Sequence, residues 1–318
     1  MNLRFIISLI FLLTIGNVFA QSSLIVVTSI KPIHSIASSL MSGIGQPELL
    51  LKSNASAHTF HLKPSQIRMM SDAHLVITVD KNFEIGLKKA LKNINSDSLM
   101  FVSDIDNLKI FSTRDFIFEE HEEHEEHEEH EEHEEHEEHE EHEEHGHSNL
   151  DFHLWLSQEN TLLIANSIAN RLIQLDPSNE LTYNTNLQQF NSKMDKLNTD
   201  LHNQLKSIKS KRIAVIDDTL QYFEKEQMLK RPVIVTPYHG ARLSVKRTLE
   251  AKRMIKELNI SCLVYGVDNS PNQVRALSEG LALKASKIDI LGNEFLPGPD
   301  LYFNTMNQIS SQIRSCLE

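Results

Sequence analysis

The segment DPSNELTYNTNLQQFNSKMDKLNTDLHNQLKSI, residues 176–208, decides how the rest of the chain is read. Asp176 reads as a helix cap and Pro177 as the first helical residue, where a missing N–H does no harm. Apolar side chains then recur at 183, 187, 190, 194, 197, 201, 205 and 208, and this spacing of threes and fours draws one stripe along one helix. No Gly or Pro follows Pro177 in the segment. The spacing predicts a single helix of about 30 residues, about 45 Å long at 1.5 Å per residue. Such an element is a stiff strut packed along both of its neighbours, not a flexible hinge.

Strand and helix alternate on both sides of the strut. Before it, strands are expected at Ser23–Ser29, Glu48–Lys52, His74–Val79 and Leu99–Val102, and helices at Ile33–Met41, Pro64–Ala73 and Phe83–Asn93. A further helix, Gln158–Leu175, leads into the strut. After it, strands are expected at Arg212–Ile216, Val233–Thr236, Cys262–Val267 and Ile288–Leu291. Helices are expected there at Gln221–Met228, Val245–Leu258, Pro271–Leu283 and Leu301–Cys316. This alternation predicts an α/β protein of two lobes, each a parallel sheet flanked by helices, joined by one long rigid helix. The lobes are placed at 21–177 and 210–318, with the linking helix at 178–209. Ligands of such sheets sit at the carboxyl ends of strands, so a site is expected in the cleft between the lobes.

One insertion interrupts the first lobe. Glu-Glu-His repeats nine times from Glu119 to His145, and His147 follows. Removing its eighteen Glu would take the formal charge from −13 to about +5, so the acidity of the chain is local. A block of like charge without apolar side chains cannot offset the entropy of ordering, and 119–149 is expected to be a disordered loop. A spacer would need Glu alone; His at every third position points to loose binding of divalent metal. His-Glu-x-x-His, the metalloprotease helix motif, does not occur.

Residues 1–20 read as a cleaved secretory signal: Arg4, an apolar segment from Phe5 to Ile15, and a small-residue cut at Val18-Phe19-Ala20. No Cys lies near that cut to carry a lipid, and the destination expected is the periplasm of a Gram-negative cell. The two Cys, Cys262 and Cys316, read as a disulfide in an exported protein.

Ionisable residues gather around the expected strand ends: His58 and His61 in the first lobe, His153 at the start of the inter-lobe helix, Asp217 and Asp218 after one strand, His239 near another, Asp268 after the third, and Asp289 in the fourth. Two or three His with one or two carboxylates make a normal shell for a divalent transition metal. His34, His74 and His202 are read as structural. Ser-Ile-Lys-Pro-Ile at 29–33, Ala-His-Thr-Phe-His-Leu-Lys-Pro-Ser at 57–65 and Asp-Phe-His-Leu-Trp-Leu-Ser at 151–157 then stand out. With the His-rich insertion, the long helix, Tyr-Phe-Glu-Lys at 222–225, Ile-Asp-Ile-Leu-Gly at 288–292 and the two late Cys, the whole mature chain resembles one family. It is similar to the periplasmic zinc-binding receptors of bacterial high-affinity zinc ABC importers, the ZnuA-type solute-binding proteins.

The resemblance implies a binding protein, not an enzyme. It would capture Zn²⁺ and deliver it to an inner-membrane ABC permease with its cytoplasmic ATPase. The ligands it implies are His58, His153 and Asp289. Zinc receptors carry a His where this chain has Asp217, and often an acidic residue where it has Ala57. Two His and two Asp form a harder donor set, which leaves Mn²⁺ or Fe²⁺ open as the cargo. His61 and His239 are candidates for a further imidazole. Low-affinity metal is assigned to His121, His124, His127, His130, His133, His136, His139, His142, His145 and His147. A periplasmic zinc-sequestering accessory protein is a candidate partner, the chain is expected to be a monomer, and no nucleic-acid partner is expected. A rival reading from another class is a secreted zinc hydrolase with Asp218 or Glu224 as general base. No nucleophile or oxyanion motif accompanies them.

Overall fold

A computed structural model describes residues 24–52, 57–58, 60–114, 149–236 and 244–318. Residues 1–20, where a signal segment is expected, the His/Glu run and His239 lie outside the described residues. The first lobe is built from β1 (Val26–Thr28), α1 (Lys31–Leu40), β2 (Glu48–Leu49), α2 (Pro64–Ser71), β3 (Leu75–Thr78), α3 (Lys88–Leu91) and β4 (Leu99–Phe101). A short pair, β5 (Phe111–Ser112) and β6 (Leu150–Asp151), brackets the His/Glu run. Helices α4 (Gln158–Leu175) and α5 (Glu180–Leu205) follow. The second lobe contains β7 (Ala214–Asp217), α6 (Gln221–Glu226), β8 (Val233–Thr236), α7 (Val245–Glu257), β9 (Cys262–Gly266), α8 (Pro271–Ser278), β10 (Lys284–Ile288) and α9 (Leu301–Leu317).

Both sheets are parallel, ordered β2-β1-β3-β4 and β10-β9-β7-β8. In each, the chain starts in the interior and then moves to both sides, which opens a crevice at the carboxyl ends. In the second sheet that crevice lies between β7 and β9. Alternation along the strands splits this sheet cleanly. Val215, Ile234 and Val264 face the large core shared with the first lobe. Ala214, Ile216, Val233, Val235 and Leu263 face a smaller core under α7.

The long helix forms as its stripe requires. Tyr183, Phe190, Met194, Leu197, Leu201 and Leu205 are buried along 26 residues of α5, and 3₁₀ turns extend it at Pro177–Asn179 and Lys206–Ile208. It packs against α1 and α4 on one side and α9 on the other, so the two lobes share one continuous core. Each fully buried side chain of this kind contributes about 1.5–3 kcal/mol, and a hinge built on this helix would have to expose several at once. Among the described residues no helix is long and apolar enough to cross a membrane.

Three local differences from the sequence reading have physical causes. The expected helix Phe83–Asn93 is a 3₁₀ turn, Ile85–Leu87, plus the single turn α3. Gly86 lies against the backbone there, where a Cβ would sit 1.8 Å from the carbonyl oxygen of Phe60. The helix expected to run to Leu283 stops at Ser278, and the chain turns through Gly280 at φ +77°. The last strand is Lys284–Ile288, not Ile288–Leu291. It is an edge strand whose exposed Lys284, Ala285 and Lys287 hide it from a search for apolar runs. Cys262 and Cys316 are disulfide-bonded and tie β9 to the end of α9.

Candidate metal centre

Three neighbouring strands of the second sheet end at one place. Asp217 closes β7, Gly266 closes β9, and Asp289 follows Ile288 at the end of β10. Ile288 pairs with Gly266, and Val215 with Val264, so these ends are level with one another. Facing them from the first lobe are His58, Phe83, His153 and Trp155. All of these residues line a single cavity of about 440 Å³, its open mouth included, together with Ala57, Thr219 and Asp268. The sequence candidates His58, His153, Asp217 and Asp289 are therefore brought together. His61 is exposed and does not line the cavity. His34, His74 and His202 are engaged elsewhere, with Pro47 and Ser38, with the Ile25 N–H, and with Lys209.

Each inner side chain is held from behind. His153 precedes the 3₁₀ turn Leu154–Leu156 and is only 8% exposed. Its Nδ1 lies 2.7 Å from Oδ1 of Asp151, which also accepts the His153 backbone N–H at 3.0 Å. His58 Nδ1 lies 3.2 Å from the carbonyl of Phe83, and the Phe83 ring packs edge-on against both His58 and His153. The two imidazole centroids are 6.0 Å apart. Asp289 is 3% exposed and sits in a tight turn. Its carboxylate accepts the N–H groups of Leu291 and Asn293 and the side-chain amide of Asn293. Gly292 makes the turn at φ +69°, where a Cβ would sit 2.2 Å from the Thr305 hydroxyl. Asp217 is 4% exposed at the end of β7. As placed, no three His, Cys, Asp or Glu among the described residues are close enough together to hold an ion.

Side chains from each lobe fasten the other. The Trp155 indole donates to the Ile290 carbonyl at 2.9 Å, and Tyr302 Oη donates to the Trp155 carbonyl at 3.1 Å. Glu226 accepts from Ser157 Oγ and from the N–H groups of Gln158 and Glu159, an anion at the start of α4. Tyr222 bridges the Phe111 N–H and the Asp151 carbonyl, so α6 holds the β5–β6 pair directly behind His153. Beside Asp217, Arg114 makes a two-pronged pair with Asp218 and a 2.7 Å pair with Glu224. Burial works against the Arg114 charge, but both carboxylates outweigh it and hold it protonated. Burial pushes Glu224 up, and Arg114 opposes that shift. Asp218 and Glu224, nominated above as general bases, are thus occupied by a buried guanidinium.

The sequence reading missed Asp151, which holds His153 from behind, and Asp268 as a cavity residue. Asp151 had a signal, an acid two residues before a candidate His. Asp268 was noted as lying past a strand but given no role.

Comparison with known proteins gives one answer. Residues 26–316 match the family described as "Zinc-uptake complex component A periplasmic". A high-affinity zinc uptake system protein ZnuA of Brucella abortus is 32% identical over 304 residues, covering 92% of this chain and 91% of that one. A crystal structure of ZnuA superposes with TM-score 0.73 at 18% identity, over 93% of this chain and 100% of that one. The solute-binding protein FpvC of Pseudomonas aeruginosa, solved with Mn²⁺, superposes with TM-score 0.74 at 14% identity, over 93% and 98%.

Proposed function

The chain belongs to the ZnuA family of periplasmic zinc-uptake components, and from that membership we propose that it captures Zn²⁺ and hands it to an ABC-type permease of the inner membrane, powered by a cytoplasmic ATPase. The observation that carries this reading is the convergence of His58 and His153 from one lobe and Asp217 and Asp289 from the other on one cavity. These four are the proposed ligands. Zinc is cargo here, held and released unchanged.

A ring held through Nδ1 ligates through Nε2. Two imidazoles sharing one tetrahedral ion that way have centroids roughly 5 Å apart, given Zn–N bonds of about 2.0–2.1 Å. From 6.0 Å, an approach of about 1 Å completes the pair, which is a side-chain movement. That agrees with a strut that forbids wide opening of the lobes. Binding weakens toward acidic pH, because protons compete for imidazole.

The donor set supports one second reading. Asp217 supplies an oxygen where zinc receptors carry a His, so two His and two Asp also suit Mn²⁺ or Fe²⁺. The hydrolase reading loses its general bases to Arg114. We take residues 1–20 to be cleaved on export to the periplasm, the mature chain to act as a monomer, and the run 119–147 to gather metal near the cleft. A zinc-sequestering accessory protein would meet that run.

Calorimetric titration of two variants tests the division of labour. Deletion of 119–147 should keep one tight zinc site and remove several weak ones. His153→Ala should lose the tight site and keep the weak ones. Loss of tight binding on deletion would overturn the reading.

A further inference from the structure

Lys31, the first residue of α1, is a buried lysine, only 5% exposed. Its ammonium donates to the Asn293 carbonyl at 3.1 Å, across the lobe boundary and within the turn that carries Asp289. Among the described residues no carboxylate pairs with it directly; burial pushes its pKa down, and the charge of Asp289, acting through space, opposes that shift. Burying an ammonium without a direct partner opposes folding. A neutral donor would hold the carbonyl equally well. Trp155 does so in the same turn, at the Ile290 carbonyl. The hydrogen bond therefore explains the position of Lys31 but not its charge.

The charge has a use at a site for a divalent cation. Asp217, Asp289 and Asp268 line the cavity, and Lys31, held on the turn of Asp289, places a positive charge close enough to interact with that carboxylate in the empty receptor. An incoming divalent cation neutralises the carboxylates and leaves the buried ammonium facing a like charge. We propose that Lys31 is a release-tuning residue: a fixed positive charge behind Asp289 that raises the energy of the loaded state, holds zinc affinity down and speeds hand-over. This rests on the zinc-receptor reading above. It differs from a positioning role in the sign of its effect. Removing a prop loosens the site, whereas removing a repulsive charge tightens it.

The test uses the mature full-length chain as wild type, Lys31→Gln, Lys31→Met and Lys31→Arg. Zinc affinity is read by competition with a chromophoric chelator, and release by a stopped-flow chelator chase. Lys31→Gln keeps an N–H donor without the charge, and Lys31→Met keeps the apolar stem. Both should bind zinc about tenfold more tightly and release it correspondingly more slowly, while Lys31→Arg stays near wild type. If Lys31→Met does not fold, the Gln and Arg pair carries the comparison. Neutral variants that bind no more tightly and release no more slowly than wild type overturn the proposal. Wild type that binds zinc alongside such variants leaves the receptor reading standing; wild type that fails to bind zinc overturns both.

Discussion

A single oxygen of Asp151, Oδ1, meets both the backbone N–H and the ring Nδ1 of His153, at 3.0 and 2.7 Å. An ionised carboxylate only accepts, so Nδ1 carries the proton and Nε2 keeps its lone pair. Asp151 is itself fixed by the β5–β6 pairing and by Tyr222 on its carbonyl. The ring is thus set in tautomer and in direction before any ion arrives. Asp151→Ala should lower zinc affinity about 10- to 100-fold, and Asp151→Asn by less, since its amide oxygen still accepts. Chelator competition measures both, and an Ala variant within twofold of wild type would falsify the assignment.

Asp217 is a proposed ligand that offers oxygen where the resemblance to zinc receptors leads one to expect an imidazole. Asp217→His substitutes a softer imidazole for a carboxylate at the end of β7. The preference for Zn²⁺ over Mn²⁺ should rise by about tenfold or more. Paired titrations of each metal into wild type and variant read the ratio. An unchanged ratio means that this side chain does not touch the ion.

Glu84 follows Phe83 and is fully buried. Burial pushes its carboxyl up to about 8, the charge of Asp80 adds to this, and the hydrogen bond from the Val79 N–H acts the other way. The folded protein therefore keeps a proton between about 4.5 and about 8 that the unfolded chain gives up. Stability should fall as pH rises across that window, by about 1.4 kcal/mol per unit where the slope is steepest. Glu84→Gln should flatten the dependence. Urea midpoints of metal-free protein between pH 5 and 8 decide it, and parallel curves for the two proteins would remove Glu84 as the cause.

The disulfide stands at the far end of the second sheet from the cavity. Cys262 begins β9, and Gly266, beside the site, ends it. Closing a loop across a separation of 54 residues stabilises by about 4 kcal/mol on chain-entropy grounds. Replacing both Cys by Ala should lower Tm markedly yet leave zinc affinity within a few-fold of wild type. Thermal melts and titrations on the same preparation separate the two effects. A large loss of affinity in the folded variant would show that the bond shapes the site as well as the lobe.

Local pattern carried much of the fold. The stripe from Tyr183 to Ile208 has one low-energy solution, a helix with that face buried, and β-branched runs such as Ala214–Ile216 and Val233–Val235 have one, a strand covered on both faces. Sequence also placed His58, His153, Asp217 and Asp289 near strand ends and seams, because a motif records which residue types occur together. It did not reveal β10, where an edge strand needs few apolar side chains, nor the β5–β6 pair, whose partners are separated by the whole His/Glu run.

What the sequence determined by itself was which elements exist and which residues were candidates, since periodicity and residue type are local properties of the chain. Only the tertiary structure decided that Asp151 stands behind His153, that Arg114 occupies Asp218 and Glu224, and that Lys31 reaches across the lobes to the turn of Asp289. Those relationships join residues up to 262 positions apart, and their energies come from burial and distance, which exist only once the core has closed.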